Sequence, residues 1–192
     1  MPPKVKITKE NIIETVISLV RESGAEAINA RAIASALGCS TQPIFSNFES
    51  MEDLQNEVLM SAYNRYLGFL KKEAESGKYP RYKSFGMAYI RFAEEERELF
   101  KLLFMRDRNG EAFIPTADFE SSVEMIMNAN GITREKAELL HLEMWVCVHG
   151  IATMMATSFL SLDWEIISNM LSDVYQGIRA KHLAEDTNNE CN

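Results

Sequence analysis

From Ile12 to Ile178 the apolar residues return every three or four positions, and no run of β-branched residues alternates with polar ones. That spacing places apolar side chains along one stripe of a helix, whereas a half-buried strand needs a period of two. The chain is therefore expected to be all-α. Glycine and proline, nine and five in 192 residues, are too few to break it into many short pieces. The punctuation they and the capping residues provide divides the chain into about nine helices.

A first helix is expected from Thr8 to Ser23, its apolar stripe made by Ile12, Ile13, Val16, Ile17 and Val20, with Gly24 as its stop. Asn29 is placed to cap a short second helix carrying Ile33, Ala34 and Leu37, which Gly38 ends. Ser40 is the expected cap of a third helix running through Asn47. Ser50 is the expected cap of a long fourth one reaching Ser76, with Asp53 three positions on, as in a capping box. Further helices are expected over 81–94, 96–106, 117–129, 134–160 and 163–182, separated by Asp107 to Gly110, Pro115, Asn130 with Gly131, and the Ser161 to Asp163 step. The organisation expected is a three-helix head over 1–50, a helical body over 51–185 and a polar tail over 186–192.

Composition excludes several classes. With 46% hydrophobic and 25% charged residues the chain is an ordinary globular one. No uninterrupted apolar stretch of about 18 residues exists to suggest a membrane span, and the start, Met1-Pro2-Pro3-Lys4, lacks the apolar core of a signal peptide, so a cytoplasmic address and no membrane partner are expected. Cys39, Cys147 and Cys191 are far apart, form no CxxC pair and have no histidine at metal spacing, so neither a disulfide framework nor a metal site is indicated. Nor is there a GxSxG, a phosphate-binding glycine loop, an HExxH or a dinucleotide fingerprint, and His141, His149 and His182 match no Ser or Cys nucleophile. No catalytic residue and no cofactor are assigned. The acidic run Glu94, Glu95, Glu96 and Glu98 spreads around a helix at about 100° per residue, which makes a solvated face rather than a ligand set.

The head carries the sharpest pattern. Two helices joined by a tight turn need a small residue in the first, a glycine at the turn and an apolar anchor in the second. Ala34, Gly38 and Ile44 stand at the separations that a helix-turn-helix uses, with Ile33, Leu37 and Cys39 closing the same small core. The second of these helices enters the major groove in such motifs, so Ser40, Thr41, Gln42 and Pro43 at its start are candidate contacts. Gln42 suits adenine, Thr41 a base or phosphate, and Pro43 a thymine methyl. Pro43 is tolerated because the first turn has no intrahelical partner for its missing N–H. Arg31 and Asn47 are candidate phosphate contacts, and Lys4 and Lys6 a basic arm. The formal charge of −8 is uneven: residues 1–48 hold five basic and four acidic residues, a net of +1, so the remainder carries −9.

The run from Arg31-Ala32-Ile33-Ala34 through Leu37-Gly38-Cys39-Ser40-Thr41 and on through Pro43-Ile44-Phe45-Ser46-Asn47-Phe48 to Glu49-Ser50-Met51-Glu52-Asp53-Leu54 resembles the head of the TetR family of bacterial repressors. The resemblance implies a DNA-binding regulator, with repression as its usual sense. It also adds Phe45 to the contacts, at the place where the family usually has a tyrosine whose hydroxyl meets a phosphate. Met51 stands where the family usually has a lysine that does likewise. In the body, Trp145-Val146-Cys147-Val148-His149-Gly150 is similar to a Trp-x-x-x-His-Gly motif of one TetR subgroup.

The helix expected over 134–160 is apolar over nearly its whole circumference. His141, Trp145, Val148, Ala152, Met155 and Phe159 form one row, with Leu140, Met144, Cys147, Ile151 and Met154 beside it. A helix apolar all round must be buried on all sides. One side is expected against its own domain and another, with Ile166, Ile167, Met170, Leu171, Val174 and Ile178 of the last helix, against a second copy. A homodimer with paired heads fits a pseudo-palindromic double-stranded DNA operator. Eleven methionines among aromatics suit a deformable apolar cavity, and Tyr89, Phe92, Phe104, Trp145, His149 and Met154 are its candidate lining for an apolar or amphipathic effector. Each of these residues is by default a core residue, and His149 falls beside Trp145 and Thr153. The alternative is an effector-binding dimer whose head has weakened or lost DNA binding.

Overall fold

The computed structural model describes residues 7–107 and 117–189, with side chains for 7–107 and 119–183. Among these residues every regular element is helical. The helices are α1 (Lys9–Ser23), α2 (Ala30–Ala36), α3 (Gln42–Asn47), α4 (Met51–Glu75), α5 (Arg81–Glu95), α6 (Arg97–Phe104), α7 (Ala117–Asn130), α8 (Arg134–Ala156) and α9 (Trp164–Asn189), with one turn of 3₁₀ helix over Ala25–Ala27 that the spacing does not announce. The chain forms two compact units, Met1–Gly68 with Glu95–Asp107, and Phe69–Glu94 with Arg108–Asn192. α4 is continuous across the first boundary.

In the first unit α1 is closed by a reciprocal cap: Thr8 Oγ1 accepts from the Asn11 N–H at 3.2 Å and the Thr8 N–H donates to Asn11 Oδ1 at 3.3 Å. Its stripe of Ile12, Val16, Ile17 and Val20 is wholly buried and packs on α2, α3 and α6. α4 supplies Leu54, Val58 and Ala62 to the same unit, and α6 supplies Leu99 and Phe100. Ser50 caps α4 by accepting from the Asp53 N–H at 3.1 Å. The return bond from Asp53 goes one residue further back, to the Glu49 N–H. Within the acidic run Glu96 binds Arg21 and Glu98 binds Lys101, while Glu95 is exposed.

The second unit is built around α8, which packs on α7 and α9. Ala137, Leu140, Met144, Val148, Ile151, Ala152 and Met155 are its buried side. α5 approaches closely at Gly86, where a Cβ would lie 3.2 Å from Val148 Cγ2 and 3.4 Å from Leu171 Cδ1. At Gly150, by contrast, no described neighbouring atom lies within 4 Å of a Cβ built there.

One expectation for α8 is corrected. The helix ends at Ala156 rather than at residue 160, because Ser158 turns into the left-handed region at φ 57°. There the Ser158 and Phe159 N–H groups donate back to the Met155 and Met154 carbonyls, each at 3.0 Å, a Schellman closure. Phe159 and Leu160 consequently leave the apolar rows and stand 80% and 40% exposed. Leu139, Leu142, Trp145 and Val146 lie exposed on the outer side of α8 in the single chain, where a side was expected against a second copy. Its length and hydropathy, 1.3 in the most apolar window, would suffice to cross a membrane. Here they come from a helix with one side in a core and an apolar opposite side. α9 runs beyond the expected end at 182, to Asn189. Pro115 and residues 190–192 lie outside the described residues.

Candidate nucleic-acid interface and effector site

The turn between α2 and α3 follows from three residues. Asn29 Oδ1 accepts from the Ala32 N–H at 2.9 Å and starts α2 as expected. Leu37 ends it, and Gly38 takes φ 64°, which lets its own N–H reach the Ser35 carbonyl at 3.1 Å and the Cys39 N–H reach the Ala34 carbonyl at 2.9 Å. Such a conformation disfavours any residue with a Cβ. Ile33, Ala34 and Ile44 are buried beneath the turn, so the spacing that pointed to a helix-turn-helix corresponds to a packed one.

The start of α3 departs from expectation. Its cap position is Thr41, in helical conformation and without a side-chain capping bond, so Ser40 precedes the helix instead of capping it. With Gln42 as the first helical residue, Pro43 occupies the second position, where its missing N–H costs no intrahelical bond. Ser40 and Gln42 are exposed, Thr41 and Pro43 half-buried, and Phe45 stands 52% exposed. A phenyl ring so presented offers apolar contact and no hydrogen bond. One N–H of the Asn47 amide is taken by the Pro43 carbonyl at 2.7 Å, which leaves one donor for a phosphate. An open concavity of about 1280 Å³ lies between Asn11, Thr15 and Ser18 of α1 and the turn with Gln42, Pro43 and Ser46.

Charge in this head is largely spent internally. Lys9 donates to Glu57 Oε1 at 2.6 Å, a bond that raises its pKa above the usual 10.5. Arg21 grips both oxygens of Glu96, Nε reaching Oε2 at 2.7 Å, and this bond likewise raises its pKa. Arg65 of α4 binds Glu14. Arg31, exposed at the start of α2, makes no ion pair with a described residue. Lys4 and Lys6 lie outside the described residues. Sequence reading counted five cations; it had no means of finding which were already neutralised by carboxylates up to 75 residues away.

Of the candidate effector residues, three are brought together. Tyr89 of α5 hydrogen-bonds His149 Nδ1 at 2.9 Å, and the Trp145 indole stacks on the same imidazole with ring centres 5.0 Å apart and 12° between planes. His149 Nε2 lies 3.4 Å from Thr153 Oγ1. Burial lowers the His149 pKa from its usual 6.5, so the ring is held neutral. Tyr89 and Phe92 are buried, and Phe92 packs edge-on against Phe69. Phe104 belongs to the first unit, where it meets Tyr66 and Phe100. Met154 is half-buried near the end of α8. Two further histidine bonds of the second unit were not foreseen: Tyr82 with His141 Nδ1 and Glu143 with His182 Nε2, each at 2.9 Å. Among the described residues no group of three or more His, Cys, Asp or Glu is gathered as for a metal.

Residues 82–171 match the model of the tetracycline repressor-like C-terminal domain. The fold is similar to that of a TetR-like transcriptional regulator from Rhodococcus sp. RHA1, with a TM-score of 0.62 at 14% identity over 96% of this chain and 99% of that one. It is also similar to a protein described as a TetR family transcriptional regulator from Vibrio parahaemolyticus, with a TM-score of 0.60 at 16% identity over 87% and 96% of the two chains. No protein of curated function matches the chain significantly. The likeness to tetracycline repressor-like proteins thus lies in residues 82–171, and the all-α fold is shared along most of the chain with these two structures.

Proposed function

We propose that the protein is a homodimeric repressor that binds a pseudo-palindromic operator through residues 1–50 and is released by a small apolar or amphipathic effector held in the body, residues 51–185. The observation that carries the DNA-binding part is the Gly38 turn, which buries Ala34 and Ile44 and leaves Ser40, Gln42 and Phe45 outward. Thr41, Pro43, Arg31 and Asn47, with the Lys4 and Lys6 arm, complete the proposed contact set. The dimer is supported by the apolar side chains left uncovered on α8 (Leu139, Leu142, Val146) and α9 (Ile166, Met170). Isologous pairing of these two helices would cover them.

The effector site is proposed at the Tyr89, Trp145 and His149 cluster, with Phe92 and Met154 as further lining, while Phe104 belongs to the other unit. Tyr89 and Phe92 are packed in this state, so a ligand reaches them only by repacking, which methionine-rich surroundings permit. An effector acts on DNA binding only through a difference in its affinity for two conformations. α4, which starts beside α3 and continues into the body, is the proposed lever. The protein is taken to act in the cytoplasm.

Selection of bound fragments from genomic DNA at low salt tests the reading. An enriched palindrome, lost when Gln42 and Arg31 are changed to Ala, is the expected result. Absence of any enriched site would favour the effector-binding dimer without DNA binding, to which the internally neutralised head already lends support.

A further inference from the structure

Among the described residues several tied-down cations meet carboxylates, Arg91 with Glu73, Arg134 with Glu120 and Glu138, Lys181 with Glu143, while Lys136 donates to the His182 carbonyl and Arg179 to the Asn130 amide oxygen. Lys83 of α5 is different. It is half-buried, and its Nζ donates to two hydroxyls of α9, Ser168 Oγ at 2.7 Å and Ser172 Oγ at 2.8 Å, with no ion pair to a described carboxylate. Its remaining neighbour is the face of Tyr79, whose ring centre lies 5.2 Å from Nζ. The Lys78 ammonium lies 5.1 Å from the centre of that same ring.

Both ammonium groups thus lie within 5.2 Å of the centre of one tyrosine ring. A shortage of counter-ions is not the reason, because the chain has 28 acidic residues against 20 basic. Withdrawing an ammonium from water onto neutral hydroxyls leaves part of its solvation uncompensated. An anion restores it with charge-assisted bonds. The donors are in place: the Ser172 hydroxyl donates to the Ser168 carbonyl at 3.2 Å, whereas no described acceptor takes the Ser168 hydroxyl hydrogen. Neither Glu165, one turn before Ser168, nor Asp173, next to Ser172, pairs with Lys83.

The geometry points to a binding site for a small phosphate-type oxyanion, formed by Lys83, Ser168 and Lys78, with Ser172 and Tyr79 holding Lys83 in position. Two positive charges and a hydroxyl donor suit a tetrahedral dianion better than a single carboxylate. At about 100° per residue, Ser168 falls on the side of α9 away from Ile166 and Met170, so pairing through the apolar face leaves the site open. It is separate from the Tyr89, Trp145 and His149 cluster and does not depend on the effector proposed there.

The test is a thermal-shift and calorimetric titration of the full chain with inorganic phosphate. Acetate and chloride at matched ionic strength serve as controls. Phosphate is expected to raise the melting temperature saturably, with acetate weaker and chloride without saturable effect. Lys83→Met should weaken phosphate binding by about tenfold or more and Lys78→Ala, at an exposed position that leaves the fold intact, by a few-fold, read as shifts in the saturation midpoint. An unchanged midpoint in Lys78→Ala together with equal responses of wild type and Lys83→Met overturns the proposal. So does a wild type with no saturable response to phosphate, which would leave Lys83 a structural tie between α5 and α9.

Discussion

Gly38 and His149 are the residues at which a single side chain decides most. At Gly38 a Cβ would meet nothing within 4 Å, so replacing it adds no clash and the whole cost is conformational. Gly38→Ala is expected to lower unfolding stability by about 1 kcal/mol, seen as a lower urea midpoint at unchanged slope, and to weaken DNA binding with it. At His149 burial lowers the folded pKa below the usual 6.5. As pH falls through about 6.5 the unfolded chain takes up a proton that the folded imidazole refuses, so stability falls on acidification and recovers above that range. His149→Gln should flatten this part of the profile in melts between about pH 5 and 8, while losing the Tyr89 bond and the Trp145 stack. A profile unchanged by the substitution would mean that the ring is not held neutral. The identity of His149 was legible in the Trp-x-x-x-His-Gly pattern. Its Tyr89 partner was not marked as one, because the two are 60 residues apart and only the packing of α5 on α8 joins them.

Element boundaries were legible wherever a cap or a left-handed residue is chemically marked, as at Thr8, Asn29, Gly38 and Ser50. They were missed where an unmarked residue does the same work. Ser158 takes a conformation usually left to glycine, so an apolar pattern continuing through Phe159 and Leu160 read as four more helical residues. On α3, Ser40 had the chemistry of a cap, but the chain turns one residue later, at Thr41. The exposed sides of α8 and α9 carry an element-scale prediction. Val146 is 59% exposed, so Val146→Glu should leave each chain folded, with its helical signal and melting cooperativity kept. It should also convert the proposed dimer to monomer in light scattering, because a carboxylate would be buried without a partner in the paired state. A variant that stays dimeric would move the interface elsewhere.

For the molecule as a whole, charge sets the terms on which DNA is bound. Lys9 and Arg21 are neutralised within the first unit, which leaves Arg31, with the proposed Lys4 and Lys6 arm, as the cations for the proposed phosphate contacts. A dimer then makes about six such contacts, and the slope of log affinity against log salt concentration should be no steeper than about −5, measured by fluorescence anisotropy on the selected operator. A steeper slope would mean that Lys9 or Arg21 leaves its carboxylate on binding. Replacing Glu57 or Glu96 with Gln should then tighten DNA binding, since either change frees a cation.

The sequence by itself determined the helical class, the helix-turn-helix and the separation of a weakly basic head from an acidic body. Each of these depends on residues within a few turns of one another, where spacing alone places side chains on a common face. Only the tertiary structure decided which cations are already spent, which aromatic meets His149, that close approach occurs at Gly86, and that Lys83 rests on two serines. The pairings of Lys9, Tyr89 and Lys83 join residues from 48 to 89 positions apart. Local periodicity carries no information about partners at that range, because the register between two helices is set by how their buried faces interlock and not by either helix alone.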